Sequence, residues 1–168
     1  MFRWTLLLGL VLVLAVVNGR ILQTERQLRD GELVYLQLAP VDPRSLMQGD
    51  YMALNFALAN AIRRAGHSGS QVGGGANNGR VIVRLDAQGV ARFVALDDGR
   101  ELAAGQRTLR YRQRKGRVRF ATDAYFFQEG TGARYEAARY GAFRVSQAGA
   151  MLLVGLHDEE LQRIQPQP

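Results

Sequence analysis

The sequence predicts a mainly β domain, an antiparallel sandwich or barrel with two or three short helices, carried behind an N-terminal transmembrane helix. Three observations predict it. Beyond residue 31 most of the chain alternates apolar and polar residues with period two. Neighbouring alternating segments are joined by short glycine-bearing turns. The chain also opens on an apolar run long enough for a short membrane span.

That run, Trp4 to Val17, holds no charge and is flanked by Arg3 and Arg20. Its length also suits the apolar region of a secretion signal, but Val17-Asn18-Gly19 is a weak cleavage site. Ile21, Leu22, Glu25 and Leu28 then continue with helical spacing up to Gly31, a glycine placed to end a helix. A helix running through the cleavage position implies an uncleaved anchor. Arg20, Arg26 and Arg29 outnumber Arg3 and favour a cytoplasmic domain. The three-residue head and short apolar run favour an exported one, which is the expectation adopted. The chain of 168 residues thus divides into an anchor with its helical extension (1–31), a β-rich domain (32–164) and a tail (165–168).

Segments 32–39 and 50–58 read as strands, the second placing Met52, Leu54, Phe56 and Leu58 on one face. Segments 80–86 and 90–97 flank the turn Ala87-Gln88-Gly89, and Asp98-Gly99 makes the next turn. Segments 107–113 and 117–122 flank Lys115-Gly116, and Ala148-Gly149 joins the last two strands. Residues 132–140 and 157–164 read as short helices, while 59–65 suit strand or helix equally. The loop 66–79 carries six glycines in fourteen residues and is expected to be mobile. It lacks the Lys-Ser/Thr of a phosphate cradle.

The net charge of +7 comes almost entirely from arginine, Lys115 being the only lysine. For a tethered exported domain this points away from nucleic acid and toward anionic lipid, an anionic envelope polymer or an acidic partner. With no cysteine there is no disulfide framework and no thiolate metal site. The two histidines, His67 and His157, show no metal-ligand spacing, and no nucleophile elbow is present. The expectation is no catalytic residue, metal or cofactor.

A two-residue loop at Lys115-Gly116 would set Arg114 opposite Arg117 and Arg112 opposite Arg119. One face of that hairpin becomes a ladder of arginines, with Arg110, Arg112, Arg117 and Arg119 as candidate contacts to an anionic surface. Directly opposed arginines repel, so Asp97, Asp98 or Glu101 is expected to neutralise them, or else an anionic partner does.

In "PVDPRSLMQGDYMAL" (40–54), Asp42 and Pro43 fit a helix cap and first position, and Gly49 fits the stop. Arg44, Asp50 and Tyr51 are left without a structural role. Gln128 and Glu129 end "YFFQEG" at a loop. Tyr135 and Tyr140, five apart on a helix, would point about 140° from one another. Tyr140 is therefore assigned to the core and Tyr135 to the surface. The candidate functional surface is Arg44, Asp50, Tyr51, Gln128, Glu129 and Tyr135.

"GDYMALNF" (49–56) resembles the defining motif of the GDYXXLXY family of bacterial proteins, and "YFFQEGTGARYEAARYGAFRV" (125–145) resembles that family too. The likeness spans about residues 30–156. The motif's final tyrosine is Phe56 here, which puts a phenol at that position in doubt while packing would survive. The resemblance implies a membrane-associated protein whose relatives accompany polytopic membrane proteins, and no established activity. The functional expectation is a binding or assembly module anchored in the bacterial inner membrane, its domain in the periplasm. The alternative is a tethered hydrolase using Asp50 and Glu129.

Overall fold

The computed structural model describes residues 2–39, 47–48, 51–68, 77–114 and 116–165. A single helix, α1 (Phe2–Asp30), precedes everything else. Its 29 residues rise about 43 Å, and the stretch Leu8–Asp30 is apolar and long enough to cross a membrane, its apolar part unburied. At Gly31 the helix stops and β1 (Glu32–Gln37) begins at the next residue. The glycine is needed for clearance: a Cβ there would lie 2.4 Å from the Gln27 carbonyl oxygen, which the Gly31 N–H reaches at 3.0 Å.

Among the described residues ten strands follow in three antiparallel sheets, so the mainly β, helix-poor domain predicted from alternation is the one observed. The first sheet has the order β1-β9-β10, with β9 spanning Tyr140–Val145 and β10 spanning Met151–His157. The second, β2-β3-β8, is built from Met47–Gln48, Tyr51–Ala53 and Ala124–Phe126. The third, β5-β4-β6-β7, joins Ala91–Leu96, Asn77–Leu85, Gln106–Arg114 and Arg117–Arg119. The helix α2 (Ala57–Ser68) packs on β5, β7 and β1, and α3 (Gly132–Tyr135) packs on β3.

Turn chemistry sets the register of the third sheet. At Ala87-Gln88-Gly89 the Asp86 carboxylate accepts from the N–H groups of Gln88 (3.1 Å) and Val90 (2.9 Å), and Gly89 takes a φ of +79° that L side chains rarely adopt. Its carbonyl accepts from the Tyr35 N–H at 3.0 Å, stitching β1 to this hairpin. At the next hairpin Arg112 faces Arg119 and Arg114 faces Arg117, the register expected of the two-residue loop. Lys115 itself lies outside the described residues.

Alternation delivers the core. Val34 and Leu36 of β1, Val81 and Val83 of β4, Leu109, Phe120, Phe143 and Leu156 are all fully or almost fully buried in one cluster. Leu58 and Ile62, one turn apart on α2, close it from outside while Arg63 and Arg64 face away. Phe56 sits at its centre, edge-on to Phe120 at 6.1 Å and Phe143 at 5.5 Å.

Three expected elements differ. The strand over 50–58 ends at Ala53, because Leu54 N–H turns to the Asp123 carbonyl and the Asn55 carbonyl accepts from Ala39. Phe56 still bridges to Leu38, so Met52, Leu54, Phe56 and Leu58 are all buried as expected, the last from α2. The helix expected over 132–140 stops at Tyr135. Arg139 N–H is taken by the His157 carbonyl and Arg139 carbonyl by Leu38 N–H, so the sheet claims that backbone before a helix can extend. Residues 157–164 form a turn in place of a helix: the Asp158 N–H donates to the Gln162 carbonyl, the Gln162 N–H donates to the Asp158 carboxylate, and Arg163 bridges back to His157. The Asp42-Pro43 cap, Gly49 and most of the glycine-rich loop lie outside the described residues.

Truncating Phe56 to alanine would leave Phe120 and Phe143 facing a void. The expected loss is about 3–5 kcal/mol, read as a drop in denaturation midpoint at unchanged secondary structure. Phe126→Ala on the exposed edge should change stability by less than about 0.5 kcal/mol.

Candidate functional site

The motif surface is assembled by pairing β3 with β8, which sets Tyr51 opposite Phe126. Their rings meet at 5.8 Å, and Phe126 is 75% exposed. The chain leaves β8 through Gln128 and Glu129, both exposed in the turn ahead of α3. Thr131 folds that turn by donating its hydroxyl to the Gln128 carbonyl at 2.6 Å. Tyr51, Gln128 and Glu129 therefore sit at one end of the small sheet. Arg44 and Asp50 lie outside the described residues.

Tyr135 does not belong to this surface. It is 2% exposed, stacked on Phe127 at 5.0 Å and tilted against Tyr125 at 5.2 Å. The assignment of Tyr140 to the core is reversed with it: Tyr140 is partly exposed at the first position of β9. The 140° separation failed because the two tyrosines are not on one helix. Burial, and then the hydrogen bond and charge interaction with Tyr135, push the Tyr125 phenol above its ordinary range.

The arginine ladder is present, and wider than the hairpin alone suggests. Arg80 of β4 pairs with Arg110, so three successive rows read Arg80–Arg110, Arg112–Arg119 and Arg114–Arg117. The acids expected to neutralise it do not. Asp97 accepts from the Gly99 N–H and Asp98 faces Arg100. Asp123 pairs with Arg119 instead, and Arg112 donates to the Ala121 carbonyl at 3.1 Å. Arg119–Asp123 is the one ion pair on this ladder among the described residues. On the inner face, the Tyr111 ring lies over Gly79, where a Cβ would come within 2.3 Å of Cζ, and burial raises its phenol pKa.

Two clefts flank the end of α1. Neither is visible in local sequence, because each is made by residues more than a hundred positions apart. The larger, about 810 Å³, lies between Gln23, Arg26, Gln27 and Asp30 on one side and Arg107, Thr108 and Arg110 on the other. The smaller, about 480 Å³, is lined by Leu28, Leu33, Arg144, Leu153, Val154, His157 and Arg163. Between them Gln27 donates its amide to the Arg144 and Ala150 carbonyls (3.0 and 2.9 Å), and Arg144 donates to the Gly31 carbonyl (2.8 Å). Among the described residues no three histidine or carboxylate side chains gather to hold a metal.

The sequence model of the GDYXXLXY protein family matches residues 13–156. The chain belongs to the GDYXXLXY family. No curated protein and no solved structure matches it. The structure divides the GDYXXLXY motif into two parts with different physical roles. Leu54 and Phe56 are 7% and 3% exposed, so the second half is core packing, where a phenyl ring serves without a hydroxyl. Tyr51 of the first half reaches the surface beside Phe126.

His157 is the buried polar group of the smaller cleft. It is 7% exposed, edge-on to Tyr35 at 5.2 Å, and its Nδ1 has no hydrogen-bond partner. Burial, and then the Arg163 charge, lower its pKa below 6.5, against a smaller opposing effect of Asp158. Between its lower folded pKa and 6.5 the unfolded chain therefore binds more protons than the folded one. The stability from neutral His157 is complete above that pH and is lost as pH falls toward the lower folded pKa. In detergent, the urea midpoint should be higher at pH 7.5 than at 5.5, and His157→Phe should reduce that difference. A variant with the same pH dependence as the wild type would remove His157 from the explanation.

Proposed function

We propose that the chain is a membrane-anchored binding or assembly module: α1 crosses the bacterial inner membrane and holds the β domain against a membrane or envelope partner on the periplasmic side. The observation that carries this reading is the joint at the end of α1. The apolar length of the helix is exposed along Leu8–Val17, yet its last turn is bonded into β9 and the β9–β10 turn through Gln27 and Arg144. An apolar stretch that, among the described residues, is exposed from Leu8 to Val17 requires another apolar environment. A helix end hydrogen-bonded into the sheet gives the domain a defined pose relative to it.

The partner surface in this reading is the exposed end of the small sheet, where Phe126 stands beside Tyr51, Gln128 and Glu129. An aromatic side chain left three-quarters exposed next to polar groups has the make-up of an interface anchor. A polytopic membrane protein is the partner class proposed, since the anchor confines encounters to the membrane plane.

A photo-crosslinking residue placed at Phe126 or Gln128 in the native membrane should give a discrete adduct with a membrane protein. The same residue at Arg92, on the far edge of the third sheet, should give none. A reporter fused after Ile164 should be active outside the cytoplasm, with the intact mass retaining α1. Adducts at all three positions, or at none, would remove the motif surface from the proposal. A reporter active only in the cytoplasm would remove the periplasmic placement.

A further inference from the structure

The larger cleft beside α1 has a composition and a position that the module reading does not account for. Its acids are already engaged: Glu32 by the Arg107 guanidinium and Asp30 by Arg29. Arg26 and Arg110, which line the same cleft from opposite sides, have no ion pair among the described residues. Arg110 is held in place through its backbone, its N–H donating to the Gly149 carbonyl at 2.9 Å. Gln23, Thr108 and Gln147 add neutral polar groups to the lining. The cleft therefore presents two unneutralised guanidinium groups and several donors across about 810 Å³, which is room for an organic phosphate and more than a lone water or ion needs.

Position selects the ligand. From Phe2 to Leu22 the helix rises about 30 Å, which matches the roughly 30 Å hydrocarbon core of a bilayer. Leu22 is the last of the exposed apolar residues before the sequence turns polar, Leu28 apart. Gln23 and Arg26 then fall about 1.5–6 Å beyond the core, inside a headgroup layer some 5–7 Å thick. Arg20, one turn before, can extend its guanidinium to the same depth. Arg107 and Arg110 come to this cleft from β6 in the folded domain. The ladder's other end, Arg114 four residues further along β6 and its β7 partner Arg117 at the hairpin tip, does not line it.

We propose that this cleft binds the phosphodiester headgroup of an anionic phospholipid from the bilayer that α1 spans, with Arg26 and Arg110 as its two charge contacts. Guanidinium forks match phosphate oxygens in pairs. One fork on the helix and one on the domain make the lipid a clasp across the joint. The proposal rests on the reading of α1 as a membrane span.

The full chain is reconstituted into nanodiscs of phosphatidylcholine with a minority of phosphatidylglycerol, transferred to mild detergent, and weighed with its retained lipid by native mass spectrometry. Phosphatidylglycerol should be retained in preference to phosphatidylcholine. Arg26→Gln with Arg110→Gln should lower that preference by about fivefold per arginine, roughly 25-fold together, with an unchanged melting temperature because neither side chain is buried. Arg114→Gln with Arg117→Gln should keep it. The proposal is overturned if the first pair retains the preference, if the hairpin-tip pair loses as much, or if inorganic phosphate alone strips the lipid, which would mark a site for a soluble anion. Failure to enter discs of neutral lipid would overturn the anchor reading itself. Entry without anionic preference would overturn the headgroup site alone.

Discussion

Gln27 has one side-chain amide and gives it to two carbonyls, those of Arg144 and Ala150, at opposite ends of the β9–β10 turn. With Arg144 returning a bond to Gly31, the helix end and the first sheet share a small network in which each polar group is satisfied. A hydrogen bond contributes only about 0.5–1.5 kcal/mol net, yet a carbonyl left unpaired in a half-buried joint would cost about 1–3 kcal/mol. That asymmetry holds the joint together. Because β1 starts one residue after the helix ends, no linker absorbs rotation, and the direction of α1 is handed directly to the sheet. The two clefts, the placement of Arg26 against Arg110, and the exposure of Leu28 and Leu33 all follow from that geometry.

The third sheet shows a second balance. Its inner face is Val81, Val83 and Leu109, fully buried, while its outer face sets arginine against arginine across three rows. Like charges directly opposite each other in a sheet cost some tenths of a kcal/mol per pair in water, and salt screens them over about 8–10 Å. Burying a valine or leucine contributes about 1.5–3 kcal/mol. The core therefore outweighs the repulsion, and the fold can carry a cationic face without neutralising it internally. Asp123 relieves one arginine; Asp97 and Asp98 of the β5–β6 loop are spent on their own turn.

The family motif illustrates how one short stretch can serve two ends. Leu54 and Phe56 point into the aromatic cluster, where Gly141 allows the Phe56 ring to approach: a Cβ there would sit 3.0 Å from its Cε1. Three residues earlier, Tyr51 pairs with Phe126 at the surface of a separate small sheet. Packing constrains the back half of the motif tightly, and constrains the front half only through strand pairing. A motif residue's presence in a pattern therefore says little about whether it acts on a partner until its burial is known.

Period-two alternation over 50–58 was enough to mark Met52, Leu54, Phe56 and Leu58 as buried, and the Lys115-Gly116 turn was enough to set the hairpin register, because side-chain direction in a strand is a local property. The apolar helix and the arginine ladder were legible for the same reason. What local pattern could not carry was competition for backbone groups. The 132–140 segment has helical spacing, but Leu38 and His157 hold Arg139 in the sheet, so Tyr135 rather than Tyr140 entered the core. The 157–164 segment has the composition of a helix, but Asp158 and Arg163 fold it back on β10. Arg80 joined the ladder and Gln27 found Arg144 and Ala150 only through pairings that span tens to more than a hundred residues, while Asp123, only four residues from Arg119, took the place of the expected acids. Sequence by itself determined which residues are apolar, which face each strand hides and where the chain can turn, since these depend on a residue and its near neighbours. Tertiary structure decided which backbone N–H and carbonyl groups pair and which distant charges meet, because those choices are made by long-range contacts competing for the same atoms.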